Sequence, residues 1–131
     1  MTIQFRPLSG QLWQQYCAKE RQLRVDWQCQ QGNLVYLLEE LSQIAQLLCS
    51  DIEAAGQPLM QEWLLKRWLF FLSDLARASG EAWLRQLFLD RLYQPMLALF
   101  ALFRRYTDGQ QRQYALQADI QRFFAGLQAE E

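Results

Sequence analysis

The chain is 131 residues long, the size of one domain, and large enough to bury roughly two-thirds of its unfolded surface without a disulfide or metal staple. Its 24 Leu, 20 Gln and 13 Ala against 2 Val and 4 Ile favour helix and leave little from which to build a sheet. It has no His, which removes the commonest general base and metal ligand, and its 13 Lys and Arg against 14 Asp and Glu give no excess positive charge for nucleic acid. The expected fold class is all-α, an up-and-down antiparallel bundle in a single domain over residues 1–131.

Punctuation sets the predicted elements. Pro7 and Ser9 precede a first helix over about 10–30, with Ser9 as its N-cap. Leu12, Trp13, Tyr16, Cys17, Leu23 and Trp27 form its inward stripe, and Glu20 projects into the middle of it. Gly32-Asn33 interrupts, and Asn33 caps a second helix over about 34–55 that stops at Gly56. Its stripe is Leu34, Leu37, Leu38, Leu41, Ile44, Ala45, Leu48 and Ile52, while Glu39, Glu40, Asp51 and Glu53 are expected on wet sides.

Pro58 opens a third helix over about 58–78 that ends at Ser79-Gly80. Met60, Leu64, Leu65, Trp68, Leu69, Phe71, Leu72, Leu75 and Ala76 fill half its circumference. Leu59, Trp63 and Phe70 fall on the other side, beside Lys66 and Arg67. A fourth helix runs from Glu81 to about Tyr106 and is kinked or broken by Pro95; Trp83, Leu84, Leu87, Phe88 and Leu92 are its stripe, with Arg91 projecting into it. Thr107-Asp108-Gly109 is a turn, and a short fifth helix covers about 110–128.

Cys17, Cys29 and Cys49 contain no CxxC pair and read as reduced thiols, hence a cytoplasmic location. The N-terminus lacks the build of a signal peptide, and the apolar run Met96 to Phe103 is too short for a membrane span. Without His there is no ExxH di-metal motif, and the isolated glycines make no phosphate loop; no cofactor, metal or catalytic residue is expected, so the chain does not read as an enzyme.

Three features remain. Surplus apolar surface at Leu59, Trp63 and Phe70, with Lys66 and Arg67 between them and with Tyr36 and Leu47 on the second helix, points to a protein-binding adaptor, chaperone or regulator, acting as a homodimer. Glu20, Arg24 and Arg91 on apolar faces point instead to an internal anion site of a ligand-binding or catalytic bundle, or to a structural ion pair. Arg104, Arg105, Tyr106 and Arg112 around the last turn would suit phosphates in a nucleic-acid-associated regulator, or merely neutralise a helix C-terminus.

Overall fold

Gly56 shows how this sequence starts and stops its helices. It has φ of +69°, the left-handed conformation in which a Cβ is disfavoured. Its N–H donates to the carbonyl of Glu53 (3.0 Å), and the next N–H, from Gln57, donates to the carbonyl of Ile52 (3.3 Å). These two bonds satisfy carbonyls that a helix end would otherwise leave open, and they turn the chain directly into Pro58, whose missing N–H costs nothing in a first turn.

The structure is a computed structural model that describes residues 5–27 and 31–130, with side chains over 10–27 and 34–127. The protein is an all-α helical bundle, and no strand occurs among the described residues. In chain order the helices are α1 (Phe5–Asp26), α2 (Gln31–Ala54), α3 (Pro58–Ala78), α4 (Ala82–Leu89), α5 (Tyr93–Phe103) and α6 (Gly109–Glu130). Two compact units divide the chain, Met1–Leu64 and Leu65–Glu131.

In the first unit α1 packs along α2. The stripe expected on α2 is buried as read, from Leu34 to Ile52, with Ile44 half-buried. On α1, Tyr16, Leu23 and Leu12 are buried in turn. Lys19 and Glu40 close the rim of this pair with an ion pair of 2.9 Å. From α3, Gln61 Nε2 donates to Cys49 Sγ at 3.4 Å.

In the second unit α5 packs on α6, and Phe71, Phe88, Phe103 and Leu69 are among the fully buried side chains. Gly109 makes the α5–α6 connection possible. It is buried, and a Cβ on it would overlap the carbonyl oxygen of Phe103. The turn it allows is held by Arg112, which grips Asp108 Oδ1 (2.9 Å) and Oδ2 (3.0 Å) and lies 4.8 Å from the Tyr106 ring centroid.

Several boundaries differ from the sequence reading. Helix α1 begins at Phe5, so Ser9 lies inside it and is not its cap; Pro7 is accepted because it falls in the first turn. Helix α2 begins at Gln31, so Gly32-Asn33 does not interrupt and Asn33 is not the cap; a Gly in a helix costs only about 1 kcal/mol. The last helix is not short, since its 22 residues equal those of α1.

The fourth helix is broken, as expected, but one turn upstream of Pro95, at Asp90–Leu92. A proline acts on the carbonyl four residues before it, here Arg91, by clashing with it and leaving it without its donor. Gln94 N–H supplies that carbonyl instead (3.3 Å), and Arg91 and Leu92 bond back three residues rather than four. Pro95 itself sits buried in the first turn of α5.

Some side chains also change sides. Met60 is 43% exposed because the whole stretch from Glu53 to Met60 lies outside the core. Asp51 is buried rather than wet, since it stands three residues after Leu48 on the edge of the α2 stripe. Trp83 is exposed in the first turn of α4, where its indole N–H donates to Glu81, leaving Leu84, Phe88 and Leu92 as the buried stripe.

Candidate protein-binding surface

The outer side of α3 carries Leu59, Trp63 and Phe70, all exposed, with Lys66 and Arg67 half-buried. The helix is long enough to show both of its sides, because Leu64, Leu65, Trp68, Leu69, Leu72 and Leu75 take the inner one. Trp63 is not bare: its ring lies 5.2 Å from that of Trp13 on α1, tilted by 47°. Tyr36 and Leu47 on α2 are exposed too, at 64% and 60%.

Phe70 has a second setting that its position along α3 does not reveal. It lines a groove of about 400 Å³ in the second unit, with walls from α3, the α4–α5 break and α6. Phe70, Tyr93 and Phe124 stand in it 40–53% exposed, over a floor that includes Leu69, Leu92 and Phe123. Asp74, Arg77, Asp119 and Arg122 form the rim. Arg77 lies over the Phe123 ring at 5.2 Å and Arg122 pairs with Asp119, while Asp74 makes no hydrogen bond or ion pair among the described residues. Aromatic rings, a thioether (Met96) and arginine stems are the groups from which interface hot spots are built. Tyr93 and Phe124 escape sequence reasoning because they come from two other helices, each more than 20 residues from Phe70 in the chain. Tyr93 precedes Pro95 and the apolar run that follows it, so no local pattern marks it.

Of the three residues of the expected anion cluster, Glu20 and Arg24 belong to the first unit and Arg91 to the second. Glu20 is buried in the first unit at 5% exposure, and Arg24, one turn on, is exposed. Arg91 is half-buried in the second unit and donates to the carbonyl of Leu87 at 3.5 Å. Around the last turn, Arg104 and Arg105 are exposed, while Arg112 is committed to Asp108 and Tyr106.

Among the described residues no group of three or more His, Cys, Asp or Glu side chains could hold a metal ion, and no helix is long and apolar enough to cross a membrane. Cys17 and Cys49 are free and half-buried; Cys29 lies outside the described residues. Burial pushes the Cys49 thiol up from its ordinary range, against the opposing hydrogen bond from Gln61 and with a smaller upward push from Glu53. Compared with protein-family models, curated proteins and solved structures, the chain has no significant match.

Proposed function

We propose that this chain is a small protein-binding adaptor, chaperone or regulator, working through the aromatic and Leu-rich outer surface of its helices as a homodimer in the cytoplasm, and not as an enzyme. The observation that carries the reading is the groove in which Phe70, Tyr93 and Phe124 stand partly open to solvent. Three neighbouring aromatics at the mouth of an apolar groove bring surface that gains free energy by being covered, at about 25 cal/mol per Å² removed from water. The free thiols of Cys17 and Cys49 accord with a reducing compartment. The nucleic-acid reading is weakened because Arg112 already lays its planar face over Tyr106 and its Nε–H against Asp108 within its own turn.

A photo-crosslinking amino acid placed at Phe70 in the producing cell tests this directly, with the same group at exposed Gln43 as control. Adducts with polypeptide, formed from position 70 and not from position 43, are expected. Equal labelling at both positions, or none at position 70, overturns the reading.

A further inference from the structure

We infer that the partner seated on Phe70 is a second copy of this chain, docked with its α3 antiparallel to the first and with the two-fold axis passing at Phe70; this rests on the reading of that surface as protein-binding. The warrant is charge complementarity. Lys66 and Asp74 stand four residues before and four residues after Phe70, and positions four apart fall on the same side of a helix. A two-fold axis at Phe70 therefore sets Lys66 opposite the partner's Asp74, and Asp74 opposite the partner's Lys66. The ring of Phe70 then meets its own symmetry mate between the two ion pairs.

The Asp74 carboxylate is available for this, and the Lys66 ammonium can be shared. Asp74 is exposed and has no hydrogen bond or ion pair among the described residues. Lys66 has an ammonium with three N–H donors, so a contact within its own chain leaves others for a carboxylate across the axis. The register also keeps Trp63 and Phe70, though not Leu59, within the overlap of the two helices. Pairing Asp74 with the partner's Arg77 would move the axis past residue 75 and push Phe70 beyond the end of the partner helix, which stops at Ala78. With the axis at Phe70, α3 overlaps its mate from residue 62 to residue 78, and Tyr93 and Phe124 flank the contact from the shared groove.

Charge reversal with reciprocal rescue tests the register. In sedimentation equilibrium of the full chain, Lys66→Glu and Asp74→Lys should each weaken dimerisation by about tenfold or more, because each sets like charges together twice. An equimolar mixture of the two variants restores opposite charges at both pairs, so it should form a heterodimer at least as tight as the wild-type dimer. Phe70→Glu should give a folded monomer with unchanged helical circular dichroism. A wild-type chain that stays monomeric at millimolar concentration overturns the inference, and so does a mixture that fails to recover. In that case polypeptide adducts at position 70 would still uphold the protein-binding reading, with a different chain as the occupant.

Discussion

Trp13 of α1 and Trp63 of α3 lie ring against ring, 5.2 Å between centroids, although Trp63 remains 54% exposed. The same side chain therefore packs the start of α3 on α1 and offers its outer edge to solvent. Trp63→Ala is expected to destabilise the chain by about 1–2 kcal/mol in urea denaturation, since a tilted aromatic pair adds roughly 0.5–1.5 kcal/mol to the area it buries. Near-ultraviolet circular dichroism should lose intensity in parallel. No change in either measurement would show that the two rings do not pack in solution.

Gly109 is the position least tolerant of a side chain. A methyl group there meets the backbone carbonyl of Phe103, which cannot rotate away as a flexible side chain could. Gly109→Ala should cost at least about 2 kcal/mol, the scale of an overpacked site, and should lower the thermal midpoint. Gly126, beside which a Cβ meets nothing within 4 Å, is the control: Gly126→Ala should be neutral or slightly stabilising.

Arg112→Lys separates charge from shape. The lysine keeps the positive charge near Asp108 but loses the fixed Nε–H that the two carboxylate oxygens share and the flat face over Tyr106. Because both partners of the ion pair are substantially exposed, the expected loss is small, at most about 1 kcal/mol, and it should shrink in high salt. A loss of several kcal/mol would mean that the turn is far less hydrated than its exposure indicates.

Cys49 should behave as a sluggish thiol. Burial favours its neutral form, so alkylation near neutral pH is expected to be slower than for an unstructured thiol and to accelerate only at higher pH. Removing the opposing hydrogen bond, by Gln61→Leu, should push the thiol further up and slow the reaction again. The stability consequence has a definite sign. A group whose pKa is raised on folding contributes stability that is complete below its unfolded pKa and disappears as pH rises through the folded value. Denaturant midpoints should therefore fall at alkaline pH, and less so in Cys49→Ala.

Helix type and inward stripes were legible because they depend on local spacing, which the sequence states outright. The α2 stripe from Leu34 to Ile52 needs nothing beyond a period of 3.6 residues. Helix starts were less legible. Ser9 and Asn33 have the chemistry of caps, but Pro7 and Gly32 are tolerated in a helix at modest cost, so the helices run past them. The exposed face of α3 was readable at Leu59, Trp63 and Phe70, whereas the groove was not, because its walls come from three segments brought together only by packing. Asp51 shows the limit of reading charge by neighbourhood: beside Glu53 in the chain, it turns to the opposite side in space.

The break at Asp90–Leu92 bears on the shape of the groove. Leu89, Leu92 and Tyr93 are both the edges of that break and part of the groove wall. Here the helical ladder has been thinned to i−3 bonds, and Pro95 contributes no N–H of its own. Tilting α4 against α5 therefore sacrifices fewer hydrogen bonds than bending either helix within its length. The break is therefore the place where the groove wall yields at least cost in hydrogen bonds, while Phe71 and Phe88 stay buried behind it.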